Sequence, residues 1–308
     1  MRVLVLGSAA GGGFPQWNCN CEGCRRARSG DPMAKPRTQS SIAVTADGSR
    51  WLLLNASPDL RQQFQANPQM HPAGGLRSSP LAAAMLTNAD IDHVAGLLSL
   101  REVQPFAVYA TARVHRVLAG NSVFQVLNRD AVPRRTVELD TPFRPADAAG
   151  DPLGLEVEAF AVPGKVALYL EDETAPGFGS VAEDTVALKV TDTATGAHFF
   201  YIPGCASMPD WLAERLTGAP LVFFDGTTWT DDEMIRTGTG TKTGQRMGHM
   251  AMSGDEGTIA AFAGLNVARK VFIHINNTNP ALIEDSPERH AAQAAGWTIA
   301  HDGMELSL

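Results

Sequence analysis

Asp90, Asp92 and His93 fall within four residues of one another in the stretch Leu86-Thr87-Asn88-Ala89-Asp90-Ile91-Asp92-His93-Val94-Ala95-Gly96. Two carboxylates and an imidazole are three side chains able to hold a metal cation. Positions 88, 90 and 92 alternate and 93 follows at once, so all four project from one connection. Two more groups of the same kind end apolar runs. Asp225 follows Leu221-Val222-Phe223-Phe224, and His274 follows Val271-Phe272-Ile273. Open α/β folds gather ligands at the carboxyl ends of their strands. Separate strands would therefore bring Asp90, Asp92, His93, Asp225 and His274 to one rim. Such a set suits Fe(II), Mn or Zn, and two imidazoles with one carboxylate and open positions is the arrangement of non-haem iron oxygenases. Two residues also have simpler readings. Asp90 suits the N-cap of a helix over 91–100, and Asp225 suits the amides of the following Gly226-Thr227-Thr228.

A second constellation is Cys19-Asn20-Cys21-Glu22-Gly23-Cys24. Three thiolates at i, i+2 and i+5 on an irregular loop converge on one tetrahedral ion, and a fourth protein ligand makes such a site structural zinc. A disulfide framework is the poorer reading for three cysteines in six residues of a cytoplasmic chain. The fourth cysteine, Cys205, reads as a small buried hydrophobe. His71, His115, His198, His290 and His301 have no partners nearby in sequence and read as ordinary surface or supporting histidines.

Strands and helices must position these groups. Residues 2–6 form a short apolar strand that runs into Gly7-Ser8-Ala9-Ala10-Gly11-Gly12-Gly13. Those glycines do not fit GxGxxG, and no GK[ST] follows, so a nucleotide site is disfavoured. They let the backbone pass close to another group. Residues 40–45 and 51–55 read as paired strands around the turn Ala46-Asp47-Gly48-Ser49. Ser57-Pro58 reads as a helix start. Residues 81–86, 106–110, 155–162, 185–191, 198–202, 221–225 and 271–274 are strands. Residues 111–118, 209–216, 253–265 and 280–295 are helices, and the last residues form an edge strand. Residues 129–153 read as a lid or insertion, and 226–247 as a Thr/Gly-rich loop over a site. Two halves, each opening with strands and closing with helices, suggest two packed sheets with helices outside.

The 308 residues are 44% hydrophobic and 19% charged, an ordinary globular balance. A net charge of -8 gives no general attraction to nucleic acid or anionic membrane, although Arg25, Arg26, Arg28, Lys35 and Arg37 could form a local basic patch. No stretch approaches the roughly 20 apolar residues that span a bilayer, and the N-terminus lacks a signal-peptide pattern. The expectation is a soluble, cytoplasmic chain with no membrane insertion and no nucleic-acid partner.

Several segments together resemble a known family. They are residues 1–21 (MRVLVLGSAAGGGFPQWNCNC), Arg37-Thr38-Gln39-Ser40-Ser41, residues 53–59 (LLNASPD), Gly248-His249-Met250 and residues 274–280 (HINNTNP). The family is that of the pyrroloquinoline quinone (PQQ) biosynthesis B proteins, and the resemblance covers nearly the whole chain. That family is similar to the metallo-β-lactamase superfamily. The resemblance implies an α/β fold, a four-layer αβ/βα sandwich forming a single domain over 1–308, with metals at one edge between the sheets. The superfamily signature His-x-His-x-Asp-His meets Asn88-x-Asp90-x-Asp92-His93 here, so its first two histidines are replaced. A third histidine would fall near Pro163-Gly164-Lys165, and a bridging aspartate near Tyr201-Ile202-Pro203-Gly204; neither is present. The second metal position keeps Asp92, His93 and His274, with Asp90 close enough to join. One open metal fits oxygen chemistry better than two-metal hydrolysis.

The resemblance implies oxidation or hydroxylation of the tyrosine part of a peptide-derived glutamate–tyrosine precursor of PQQ, using Fe(II) or another divalent metal and O2. In that reading Asp92, His93 and His274 hold the catalytic metal, and Asp90 ligates it or orients a ligand. His249, near which a superfamily relative places a proton-transfer histidine, is the candidate acid/base. Arg37, Arg61 and Lys165 would meet the precursor's carboxylates. Cys19, Cys21 and Cys24 would hold structural zinc. Its fourth ligand is open between His249, His274 and Asn277, the last standing where a related phosphodiesterase family has histidine. Other PQQ biosynthesis proteins are expected partners. The alternative is a soluble carrier of PQQ or its precursor towards the periplasm, with structural zinc as its only metal.

Overall fold

A computed structural model describes residues 1–308. Thirteen strands form two sheets. They are β1 (Arg2–Gly7), β2 (Ser41–Thr45), β3 (Trp51–Leu54), β4 (Leu81–Met85), β5 (Ala107–Thr111), β6 (Arg134–Val137), β7 (Leu155–Ala161), β8 (Val186–Asp192), β9 (His198–Ile202), β10 (Val222–Asp225), β11 (Lys270–Ile273), β12 (Trp297–Ile299) and β13 (Glu305–Ser307). The first sheet runs β13-β1-β2-β3-β4-β5-β6 and the second β12-β11-β10-β9-β8-β7. In both, the hairpin-connected half is antiparallel and the half that carries the site is parallel.

Most of these strands are buried on both faces, which is why they read as continuous apolar runs. Val3 and Val5 turn inward, with Met85, Tyr201, Phe223 and Ile273, to form the core between the sheets. Leu4 and Leu6 turn outward under a helical layer that includes Leu60, Leu97, Val114 and Leu118. On the far side Phe272 stacks on Trp297, with ring centroids 3.8 Å apart, beneath Leu212 and Ala292. The result is the αβ/βα sandwich of the metallo-β-lactamase fold, as expected.

Several helix expectations need correction. The helix expected from Ser57 begins at Leu60, because the Ser57 hydroxyl turns to Gln63 Oε1 instead of capping. The one expected over 253–265 shrinks to Thr258–Ala261, and that over 280–295 splits into Pro280–Leu282 and Pro287–Ala294. Glycines at 254, 257 and 264 interrupt the first, and Pro287 resets the second as an N1 proline capped by Ser286. Residues 129–153 are no lid: they contain β6 and bridge to β7 through Leu139 and Phe143. The basic patch is also partly neutralised. Arg26 pairs with Asp31 and Asp285, and Lys35 with Glu284.

Gly96 fixes how the loop that carries Asp92 and His93 seats on the first sheet. A Cβ there would lie 2.1 Å from the Ser57 carbonyl oxygen and 2.8 Å from that of Ala56. Only glycine lets the segment Ala95–Leu100 approach so closely. Gly96→Ala is expected to lower stability by about 1–3 kcal/mol, as overpacking does, read as a lower urea midpoint at unchanged slope. A midpoint equal to wild type would show that the segment shifts without cost.

Candidate metal centre

The carboxyl ends of β4, β10 and β11 meet at one edge of the sandwich. The segment after β1 crosses between the sheets there: Ala10 N–H donates to the Ile275 carbonyl at 2.8 Å, and Ile275 N–H to the Ser8 carbonyl at 3.0 Å. The glycine run follows, and a Cβ on Gly11 would stand 3.3 Å from Asp92 Oδ2. These glycines therefore give the backbone room beside a carboxylate, not beside a phosphate.

The loop after β4 is held from both sheets. Asn55, at φ 62° after β3, accepts the Thr87 amide at 2.9 Å, and the Val186 amide donates to the Thr87 carbonyl at 2.9 Å. Asn88 Oδ1 accepts the Asp90 amide at 3.0 Å and lies 2.8 Å from His93 Nδ1, so that nitrogen carries the proton. His93 Nε2 is then an unprotonated nitrogen. It is buried with no hydrogen-bond partner, 4.0 Å from Asp92 Oδ2. His274 Nε2 lies 3.0 Å from the same Asp92 oxygen. The ligand atoms of Asp92, His93 and His274 all fall within 4.8 Å of one another. A buried lone pair with no donor facing it, beside a carboxylate and a second imidazole, fits a divalent cation. His274 itself has φ 59°, a left-handed conformation that costs a non-glycine residue on the order of 1 kcal/mol or more.

The electrostatics agree with that assignment. Burial pushes the His93 imidazole down to about 4, so the ring stays neutral. Burial alone would raise the Asp92 carboxyl, but His93 and His274 outweigh it and hold Asp92 well below its ordinary range. Burial would lower His274, yet the hydrogen bond and charge of Asp92 raise it. Asp90 stands outside the cluster. It begins the helix Ile91–Val94 without capping it, and its Oδ1 accepts the Leu168 amide at 3.4 Å. Burial, then the charge of Asp92, raises its pKa.

On the opposite side Asp225 is completely buried. Its Oδ1 accepts the Thr227 amide at 3.0 Å and the Thr227 hydroxyl at 2.6 Å. Its Oδ2 accepts the Cys205 amide at 2.9 Å and His249 Nδ1–H at 2.7 Å. Asp225, His249 and His274 also have ligand atoms within 4.8 Å of one another, but four donors already satisfy this carboxylate, so its part is to orient His249. Burial would raise it, but the charge of His249 and its hydrogen bond hold it down. The loop-amide reading of Asp225 is thus observed, and the dyad with His249 is added to it. Twenty-four residues separate the two, and sequence gave no sign of the pairing.

The cysteines form a separate group whose sulfurs also lie within 4.8 Å of one another. Asn277 stands against them, its Nδ2 3.4 Å from Cys24 Sγ and 3.8 Å from Cys21 Sγ. His274 and His249 are turned to the other centre. Cys205 is buried in the outer core as expected, and burial pushes its thiol up to about 12. Burial likewise pushes Cys21 up to about 12, with its neighbouring thiols adding to the shift. A cation shared by the three sulfurs would hold all of them as thiolates.

Of the three cations expected to meet substrate, Lys165 lies within charge range of Asp90 and bonds Glu171 at 2.8 Å. Arg37 is buried, its Nε without a partner. Arg61 is exposed on the helix Leu60–Ala66, over the outer face of the first sheet. The structure does not bring these two to the centre. Thr278, next to Asn277, donates to Glu233 Oε1 at 2.5 Å, and the Trp229 amide to its Oε2 at 2.6 Å. Burial raises Glu233 to about 7 from an ordinary 4.5. Between those values the folded chain binds a proton that the unfolded chain has released. Stability therefore falls as pH rises through that window, by roughly 3 kcal/mol at most. Glu233→Gln is expected to flatten this slope; an unchanged slope in denaturant titrations at pH 5 to 8 would place the effect elsewhere.

Comparison with known proteins locates the chain. The beta-lactamase superfamily domain matches residues 50–275. Coenzyme PQQ synthesis protein B of Methylorubrum populi is 56% identical over 308 residues, all of both chains, and that of Rhodopseudomonas palustris strain BisB5 is 55% identical over 309. The chain belongs to the coenzyme PQQ synthesis protein B family. A solved structure of Zn(2+)-bound PqqB from Methylobacterium extorquens matches it with a TM-score of 0.95 at 55% identity over the whole of both chains. A diphosphatase of the PhnP family shares the fold, with a TM-score of 0.67 at 20% identity over 100% of this chain and 97% of that one. In this chain Asn88 serves as the hydrogen-bond partner of His93. No helix is long and apolar enough to cross a membrane.

Proposed function

We propose that this chain acts in PQQ biosynthesis as a mononuclear, O2-using oxygenase that hydroxylates the tyrosine part of the peptide-derived glutamate–tyrosine precursor, one oxygen atom entering the ring and the other leaving as water with two electrons from an external reductant. The observation that carries this reading is the Asp92–His93–His274 cluster. It is a two-histidine, one-carboxylate set with a bare buried nitrogen. When bound there, Fe(II) would supply the one-electron and O2 chemistry that no side chain provides.

The chain's own residues do the rest. Asn88 keeps His93 in the tautomer whose Nε2 is free. The Asp225–His249 dyad holds a proton on His249 Nδ1 and leaves Nε2 to take one from, or return one to, the phenol. Lys165, the one of the three cations within charge range of Asp90, would meet a carboxylate of the precursor by exchanging its pairing with Glu171. The proteins that make and consume the precursor are its natural partners.

Elemental analysis after anaerobic purification, followed by oxygen uptake with Fe(II), a two-electron reductant such as ascorbate and a glutamate–tyrosine precursor, tests this. One zinc and one iron per chain, with uptake that requires precursor, is the expected result. Zinc alone, with no iron affinity and no uptake, would instead favour a carrier of PQQ or its precursor.

A further inference from the structure

The turn Asp225-Gly226-Thr227 is fixed more tightly than a loop beside an open site needs to be. Gly226 N–H donates to the Ile273 carbonyl at 2.8 Å, the Asn276 amide to the Thr227 carbonyl at 3.0 Å, and Asn279 Nδ2 to the Gly226 carbonyl at 2.9 Å. A Cβ on Gly226 would stand 3.0 Å from that of Phe272, so the turn lies directly against β11. All of this sets one hydroxyl. Thr227 is 3% exposed, and its Oγ1 lies 2.6 Å from Asp225 Oδ1, 2.9 Å from His274 Nδ1, 3.1 Å from His249 Nδ1 and 3.0 Å from the His274 carbonyl oxygen.

A threonine hydroxyl has one proton to give. The shortest contact is to a carboxylate, which can only accept, so the proton goes to Asp225. Towards the two imidazoles Oγ1 then offers lone pairs alone. His274 must present Nδ1–H to it, which leaves Nε2 as the ring's only ligand atom, on the side of Asp92. His249 likewise presents Nδ1–H, shared with Asp225 Oδ2 at 2.7 Å, and its Nε2 stays free. The two rings stack at 23°, with centroids 5.3 Å apart, around this one oxygen.

We infer that Thr227 is a positioning residue that locks both imidazoles in the Nδ1–H form, joining the Asp225–His249 proton dyad to the metal ligand His274 through a single hydroxyl. A ring flip at His274 would set a carbon against Oγ1 and forfeit the bond. A change at the dyad is therefore felt at the ligand without any contact between His249 and the cation. The inference rests on the metal reading of the Asp92–His93–His274 cluster, and its test separates the two.

Protein with zinc already on its cysteines is titrated with Co(II), following the visible d–d bands, for wild type, Thr227→Val and Thr227→Ser. Valine keeps the volume and removes the acceptor; serine keeps the acceptor. Thr227→Val is expected to bind Co(II) about 10–100-fold more weakly, the usual loss for an outer partner of a histidine ligand, with altered bands. Thr227→Ser is expected to stay within about threefold of wild type, and its recovery separates the hydroxyl from mere packing. In the zinc-filled protein the downfield imidazole N–H signal of His274 is expected in wild type and Thr227→Ser and absent from Thr227→Val. Equal Co(II) affinity and equal spectra in all three overturn the inference while leaving the metal centre intact. A wild type that takes up no second equivalent overturns the metal reading, and this inference with it. If Thr227→Val does not fold, the serine variant decides: loss of affinity there overturns the role of the hydroxyl.

Discussion

His93→Ala is expected to leave metal binding by the cysteines untouched and to empty the aspartate–histidine centre. The imidazole supplies one of three ligand atoms, and it is the one whose nitrogen is buried with nothing else to bind. Alanine there removes the ligand and opens a cavity beside Asp92 and His274, whose 3.0 Å contact then closes into a simple ion pair. The loss in Co(II) or Fe(II) affinity should exceed the roughly 10–100-fold that removal of an outer partner costs, and oxygen uptake should vanish with it. Asn88→Ala makes the graded comparison. It removes only the acceptor that fixes the His93 tautomer, so its loss should fall within that 10–100-fold range. The measurement is metal content per chain and a Co(II) titration, beside a melting curve to show that both variants fold. His93→Ala protein with wild-type Co(II) affinity would remove His93 from the centre. Asn88→Ala falling as far as His93→Ala would mean that Asn88 is itself a ligand.

The elements that deliver these residues were legible in sequence where burial is two-sided. Leu81–Met85, Val222–Asp225 and Lys270–Ile273 are apolar runs short enough to be strands; Asp92 and His93 lie in the connection after the first, Asp225 ends the second and His274 directly follows the third. That made Asp92, His93, Asp225 and His274 readable as one rim. The short helices were not legible. Thr258–Ala261 sits in an alanine-rich stretch whose composition promises a longer helix than its glycines allow. What each site residue binds was also hidden, because hydrogen-bond satisfaction depends on residues far along the chain. Asp90 reads as a ligand by spacing, yet its carboxylate meets the Leu168 amide, 78 residues away. Asp225 reads as a ligand at a strand end, yet four donors from Cys205, Thr227 and His249 fill it. The part played by the Thr227 hydroxyl is not legible either, since a threonine in a Thr/Gly-rich loop carries no spacing signal. Its importance comes from three elements meeting at one oxygen.

The second large effect is expected at the cysteines. Cys24 is completely buried. Gln16 N–H and Asn277 Nδ2 both lie 3.4 Å from its sulfur, so the sulfur joins the loop after β1 to the segment that follows His274. A cation on Cys19, Cys21 and Cys24 therefore staples the first and last parts of the metal edge together. Cys24→Ser removes a thiolate from that staple, and the remaining two sulfurs cannot hold zinc against water in a tetrahedral site. Structural zinc contributes about 10–16 kcal/mol to domains that are unfolded without it. Here the sandwich has its own core, so only the part that fixes residues 14–24 against 275–279 is lost, on the order of several kcal/mol. At roughly 2–4 °C per kcal/mol for chains of this scale, the melting temperature should fall by on the order of 10 °C. Cys205→Ser is the control: an equally buried sulfur outside the cluster, whose loss should cost no more than about 1–3 kcal/mol and release no zinc. Cys24→Ser should also weaken Co(II) at the other centre, because His274 lies three residues before Asn277. If Cys24→Ser retains one zinc per chain and melts with wild type, the cysteines hold no structural ion. If it loses zinc yet binds Co(II) as wild type does, the two centres are structurally independent.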